Sequence, residues 1–384
     1  MLKREKKYGH FGFFVKNSDM PLLTFCIIAS LYGCLLVYSS IVGEGGSIRS
    51  CLVQFICSAL GILIAMFISQ LDYVDICKIW YIWAGIAVFL VLLTFTPLGL
   101  NVTGTDDTAW LGFPFKNPKI TFQPSELLKI AFIISFSVHL DKVKEMINRP
   151  LVLLFLCLHG GFATGLIVLQ GDDGTALVFL FIFAAMLFAA GLHWGYFLGA
   201  FVAMGAALPV LWSHLDTQKI DRIKALVYVD DYLQTEGWQQ ASGISAIGSG
   251  QIWGVGYLKG GGEGLFARSN DFIFSVAGEE FGFIGAIILL AILIAIICCL
   301  LRTAKQVSDY KGKMICTGFA ALIAAQSIIN IGMVLRLLPV IGITLPFFSA
   351  GGSSVATLYL GVGLCLSVFY QSKTRNLNRG MFRK

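Results

Sequence analysis

A chain of 384 residues that is 57% hydrophobic, 13% charged and has a mean hydropathy of +0.80 is not an ordinary soluble domain. Its apolar runs, each about 20 residues long, lack the strict alternation of barrel strands and so read as helices that cross a membrane. The formal charge of +6 is spread over short segments, with nothing resembling a nucleic-acid groove.

The first basic segment carries Lys3, Arg4, Lys6, Lys7 and Lys16. Apolar runs follow near 21–42, 50–70, 77–97, 122–140, 151–169, 174–191, 194–213, 273–301, 314–337 and 353–370. They predict an all-α polytopic membrane protein: ten transmembrane helices in a single integral domain over 1–384. The first run is too long for a signal-peptide core and reads as a retained anchor. The run at 273–301 is long enough to tilt or protrude.

Loop 141–150 carries Lys142, Lys144 and Arg149; loop 302–313 carries Arg302, Lys305, Lys311 and Lys313; the tail carries Lys373, Arg375, Arg379, Arg383 and Lys384. With an even number of spans these segments share one side with the N-terminal segment. The positive-inside rule makes that side cytoplasmic, with both termini there. The extracytoplasmic face then holds 98–121, 170–173, 338–352, a small loop near 43–49, and a large loop of about 214–272 between helices 7 and 8. That loop is too long for a mere connector. The ten cysteines lie in or at the ends of apolar runs and read as small buried hydrophobes. The histidines show no zinc-site spacing.

In chain order, WLGFPFKNPKITFQPSELLKIAF (110–132) comes first, with Pro124 suited to a first helical turn and Glu126 and Lys129 spaced i, i+3. They form either an internal ion pair or the lining of a cavity that uses them. QGDDGTALVF (170–179) sets Asp172 and Asp173 at a helix start, as dipole-complementing acids or as a cation or substrate site. In 218–264, Ile220, Ile223, Leu226 and Val227 beside Lys219, Arg222 and Lys224 predict an amphipathic surface helix. Gly248, Gly250, Gly254 and Gly256 follow, and serve tight turns or a close backbone approach to a ligand. NDFIFSVAGEEFGFIG (270–285) places Asp271 where a helix N-cap would stand, with Glu279 about 12 Å further along a helix. That separation exceeds paired-acid glycosidase distances, so Asp271 either caps the helix or acts with groups from other segments. Finally, 330–361 runs from Asn330 and Arg336 through a bend with Pro339 and Pro346 to Ser349-Ala350-Gly351-Gly352-Ser353-Ser354. Such a break is either re-entrant packing or a cradle whose backbone amides hold an anion.

FQPSELLKI, QASGISAIGSGQIWGVG, NDFIFSVAGEEFGFIG and NIGMVLRLLPVIGITLPFFSAGGSS, in this order, resemble the SEDS glycosyltransferases: the RodA, FtsW and sporulation proteins that polymerise peptidoglycan. The likeness covers nearly the whole chain and leans towards the RodA-like branch. It implies a polymerase using lipid II, a disaccharide-peptide on undecaprenyl diphosphate, at the outer leaflet of the bacterial cell membrane, with inversion at C1. It implies Asp271 as general base, and Glu126 and Lys129 match the family's QPSE-x-x-K positions; with Arg222, Asp172, Ser353 and Ser354 they are the expected substrate-binding positions. Lys129 and Arg222 would steady the diphosphate, and Glu279 and Glu280 would support the bundle or its partner-linked motion. A divalent cation (Mg or Mn) is an open expectation. The implied partners are a class B penicillin-binding protein, a single-span transpeptidase, and proteins of the elongation or division complex. Relatives usually read Leu-Pro-Glu shortly before the DFIF motif, where this chain has GLFARSNDFIF. A lipid flippase or secondary transporter would also have ten spans, intramembrane charges and broken helices, and a non-catalytic scaffold for a transpeptidase would need the helices but not Asp271.

Overall fold

The structure is a computed structural model that describes residues 17–43, 48–101, 108–113, 120–228, 230–232, 237–261 and 267–381. Lys3, Arg4, Lys6, Lys7, Lys16, Arg383, Lys384 and most of the loop near 43–49 lie outside the described residues, as do the side chains of Arg375 and Arg379.

The apolar runs become helices because a chain in lipid must satisfy its backbone groups within each segment. The first half holds α1 (Met20–Gly43), α2 (Arg49–Ile68), α3 (Tyr73–Lys78), α4 (Trp80–Leu93), α5 (Pro124–Val143), α6 (Pro150–Leu169) and α7 (Asp173–Ala189). The second holds α8 (Trp194–His214), α9 (Thr217–Val227), α10 (Trp238–Gly250), α11 (Ile273–Gln306), α12 (Tyr310–Val334) and α13 (Gly352–Met381). Six of these, α1, α2, α6, α11, α12 and α13, are long and apolar enough to cross a membrane. Shorter apolar helices cover Trp80–Leu93, Asp173–Ala189 and Trp194–Val210.

Two expectations need correction. The run near 77–97 is not one helix: Ile79 leaves helical geometry (φ −101°, ψ 26°) and separates α3 from α4. Nor is the chain wholly helical. A small antiparallel sheet joins β1 (Gly99–Leu100), β2 (Trp110–Phe113) and β3 (Ile120–Phe122), pairing Leu100 with Trp110 and Leu111 with Phe122. Aromatic and β-branched residues follow the end of α4, where backbone groups outside the helices need partners of their own.

Helix α12 forms the centre, packed on α11, α7, α5, α10 and α13. Large apolar side chains such as Leu63, Phe67, Leu169 and Phe201 point outwards. Lipid is as apolar as leucine, so cohesion rests on close packing at small residues. Gly61 and Gly363 bring α2 and α13 together, Gly61 against the Tyr359 ring and Gly363 against Ala65 and Ile68. The cysteines are all free. Cys26, Cys77, Cys299, Cys316 and Cys365 are buried as expected, but Cys157 and Cys298 face outwards among the apolar side chains of α6 and α11.

The long run at 273–301 is broken. Gly282 has φ 64° and ψ −163°, a conformation open to glycine alone. The carbonyls of Glu279 and Glu280 accept instead from the amides of Val255 (2.9 Å) and Gly256 (3.1 Å). Across the break Phe283 and Ile284 donate to the carbonyls of Gln251 (2.8 Å) and Ile252 (3.4 Å). Segment 251–256 thereby satisfies the backbone groups freed by the break. Gly254 (φ 84°) lies so close that a Cβ there would meet the Glu280 carbonyl. At Gly254, then, the close approach foreseen for the glycine run is to α11's own backbone.

Candidate active site

Helix α11 starts one residue later than an Asp271 cap requires. Phe272 is the N-cap residue and the end has no side-chain cap. The carboxylate of Asp271 is half-buried, and among the described residues no hydrogen bond or ion pair reaches it. The bland reading of Asp271 as a cap therefore fails.

Its backbone, by contrast, is held from several sides. Ala267, in the left-handed region at φ 56°, offers its carbonyl to the amides of Asn270 (3.0 Å), Asp271 (3.1 Å) and Phe272 (3.4 Å). Ala350 N donates to Ser269 O at 2.8 Å, Ser349 Oγ to Asn270 O at 2.6 Å and Asn330 Nδ2 to Asp271 O at 2.8 Å. Asn330 also donates to Ile343 O at 2.6 Å, which ties the segment 340–343 to the same point. There Gly342 (φ 74°) comes close to Asp271: a Cβ added to it would sit 3.6 Å from Oδ2. Gln54, in the second turn of α2, donates to Ser349 O (3.0 Å) and accepts from Gly351 N (3.0 Å).

From α7 comes Asp172. Its Oδ1 accepts from Thr175 N at 2.9 Å, capping the helix, and its Oδ2 accepts from Gln123 Nε2 at 3.0 Å. Asp172 also acts on Asp271. Burial pushes the Asp271 carboxyl up to about 6, and the nearby Asp172 charge adds to the rise. A carboxylate poised near neutrality and free of hydrogen bonds is chemically suited to accept a proton from a hydroxyl.

The other expected residues divide. Glu126 and Lys129 form the internal ion pair, 2.8 Å apart and almost wholly buried. Asp173 pairs with Lys219 at 2.5 Å, which docks the amphipathic α9 onto the start of α7. Arg222 lies half-buried on α9, whose apolar residues Ile220, Ile223 and Leu226 are only half covered. No hydrogen bond among the described residues joins Ser353 or Ser354 to Asp271. The amides of Ala350 and Gly351 already donate to Ser269 O and Gln54 Oε1, so the turn before α13 supports the Asp271 loop. Glu280 accepts from Ser39 Oγ, and Glu279 pairs with Arg268.

The motifs quoted above contain Asn330, Ser349, Arg268 and Gln123 but give none of them a site role, and they omit Gln54. The available signal was polarity within an apolar run, since Gln54 and Asn330 are 1% and 0% exposed inside helices and must find partners there.

A family profile described as "Cell cycle protein" (FtsW, RodA, SpoVE) matches residues 20–374. A relative from Trichlorobacter lovleyi, "Probable peptidoglycan glycosyltransferase FtsW", is 30% identical over 369 residues, covering 91% of this chain and 92% of its own. "Peptidoglycan glycosyltransferase MrdB" of Escherichia coli K12 is 29% identical over 365 residues, covering 92% and 94%. Among solved structures, a chain described under "Structural coordination of polymerization and crosslinking by a peptidoglycan synthase complex" superposes with a TM-score of 0.77 at 27% identity, covering 92% of this chain and 98% of its own. The rod shape determining protein RodA of Thermus thermophilus gives a TM-score of 0.68 at 25% identity, covering 92% and 97%.

Proposed function

This chain belongs to the FtsW, RodA and SpoVE family and is a multi-pass inner-membrane glycosyltransferase of peptidoglycan synthesis, and we propose that Asp271 is the general base with which it polymerises lipid II. The single observation behind this assignment is a carboxylate without hydrogen bonds, its pKa raised to about 6, on a loop whose backbone is fixed by Asn330 of α12 and by Ser349 and Ala350 of the turn before α13.

In the step we assign, the 4-hydroxyl oxygen of one sugar attacks C1 of the lipid-linked chain. The C1–O bond to the diphosphate breaks, its electron pair leaves with the diphosphate, and the hydroxyl proton passes to Asp271. Attack from the face opposite the leaving group inverts C1. A carboxyl whose pKa is about 6 is ionised at neutral pH yet still basic enough to take the proton as the bond forms. The departing diphosphate needs positive charge. Arg222 and Lys129 are the two cations expected for it, and Lys129 would act from within its pair with Glu126. Ser353 and Ser354 remain substrate-binding positions in this reading.

Among the described residues no three His, Cys, Asp or Glu side chains gather into a metal site. Both Asp172 oxygens are already taken, by Thr175 N and Gln123 Nε2, so a divalent cation, Mg²⁺ or Mn²⁺, would come with the substrate's diphosphate rather than be held by a carboxylate pair. Such an ion would stabilise the charge of the departing diphosphate. Chelation with EDTA is then expected to stop polymerisation and either ion to restore it; full activity in EDTA would remove the cation from the account.

The topology we assign has ten spans, both termini in the cytoplasm, the 214–272 loop and Asp271 at the extracytoplasmic face. The partner is a single-span transpeptidase of the class B penicillin-binding type within an elongation or division complex; its identity decides whether cell shape or division is served. Purified protein with labelled lipid II tests the assignment. Wild type should yield glycan chains, and Asp271→Asn should lose about 10²–10⁴-fold in rate with its melting unchanged. Glycan from Asp271→Asn at the wild-type rate would refute the base; movement of lipid without polymer would make the protein a transporter.

A further inference from the structure

Asp271 is preceded at three residues' distance by Arg268, whose side chain is 2% exposed and ion-pairs with Glu279, 6% exposed, in the first turns of α11. Around the pair, Gly261 N donates to Glu279 Oε1 at 2.9 Å and Arg268 Nη1 to Gly260 O at 3.4 Å. A Cβ on Gly260 would lie 2.6 Å from the guanidinium and 2.9 Å from the carboxylate. Residues 268 to 271 are therefore anchored one by one. Arg268 is held through its side chain by Glu279, Ser269 by Ala350, Asn270 by Ser349 and Asp271 by Asn330.

A buried ion pair is a poor device for stability, because removing two charges from water offsets most of their attraction. Its distinctive property is directional: a planar guanidinium against a carboxylate fixes both ends, which apolar packing does not. We infer that Arg268 and Glu279 are positioning residues for Asp271, their ion pair locking the loop that carries the base to α11 and to Gly260–Gly261. The inference rests on the polymerase reading above and deepens it. Neither side chain need touch substrate. Both act through the placement of Asp271, where an error of about 1 Å can cost about 100-fold in rate.

The test is steady-state polymerisation of lipid II by the full chain, together with amide hydrogen exchange over 267–272. Arg268→Ala and Glu279→Ala should each lower kcat about 100-fold and leave KM for lipid II unchanged. Arg268→Lys should recover part of the loss. The charge swap, Arg268→Glu with Glu279→Arg, should outperform either single change. Gly260→Ala, which removes no charge, should also lower kcat by crowding the pair. Exchange should rise over 267–272 in Arg268→Ala while α12 stays protected. Wild-type kcat in Arg268→Ala would overturn the inference. So would exchange rising equally through α11, α12 and α13 with no rescue by lysine, which would mark a purely structural pair. If wild type makes no glycan, the polymerase reading fails, and exchange over 267–272 still decides whether the pair positions the loop.

Discussion

The two ends of the helical bundle are built on different principles. At the end away from Asp271, caps and ion pairs close the structure with little strain. Asp19, at the start of α1, accepts from Arg302 Nη2 and Thr303 Oγ1, both at 2.9 Å. Asp309 caps α12 through Gly312 N (3.1 Å) and accepts from Tyr73 OH (2.9 Å). Asn148 accepts from His193 N (2.7 Å) and, through its carbonyl, from Tyr196 OH (2.9 Å). The left-handed residue in those turns is Gly191, which carries no penalty.

At the Asp271 end, Gln251, Leu258, Ala267, Arg336 and Phe347 all hold positive φ although none is glycine. Each costs about 1–3 kcal/mol. Such residues persist only where their surroundings over-determine them, which is typical of functional sites. The comparison teaches that one end is organised for cohesion and the other for placing a single side chain.

The sharpest way to break that contrast is a matched pair of truncations. Asn330→Ala removes two hydrogen bonds, to Asp271 O and Ile343 O, and should lower kcat about 10–100-fold as the base loses its placement. Asp19→Ala removes buried bonds at the other end and should lower stability by about 1–3 kcal/mol while leaving kcat per folded molecule unchanged. Thermal melting and lipid II turnover on the same samples check both. Equal effects on kcat would erase the distinction between the two ends.

A smaller effect sharpens the picture of strain. Arg336 follows α12 at φ 59°, with its amide on Met333 O and the next amide on Gly332 O, the helix-ending turn that favours glycine. Arg336→Gly should raise stability by about 1 kcal/mol. A melting point that falls instead would show that the arginine side chain contributes more than its backbone costs.

Much of this was legible in the sequence. Hydropathy marked the apolar runs because a spanning helix declares itself by length, and i, i+3 spacing foretold the Glu126–Lys129 pair. Asp271 stood out as an acid at the start of an apolar run. The break at Gly282 did not, because FGFIG is as apolar as its neighbours and the partner segment 251–256 lies across a loop. Nor did the clamp from Gln54 to Gly351, whose partners are 297 residues apart in the chain. Periodicity reports one helix face at a time, whereas the site is made by segments that meet only after folding. The small sheet escaped for a related reason: three short strands carry too few residues to show a period.

The measurement that bears most directly on Asp271 is the pH dependence of polymerisation in wild type and in Asp172→Asn. Burial and the Asp172 charge both raise the Asp271 carboxyl, to about 6. Protonation disables a base, so wild-type activity should fall as pH drops through about 6. Removing the Asp172 charge should move that acid limb to lower pH. A wild-type rate that stays level through that region, or a limb that does not move in Asp172→Asn, would contradict the account.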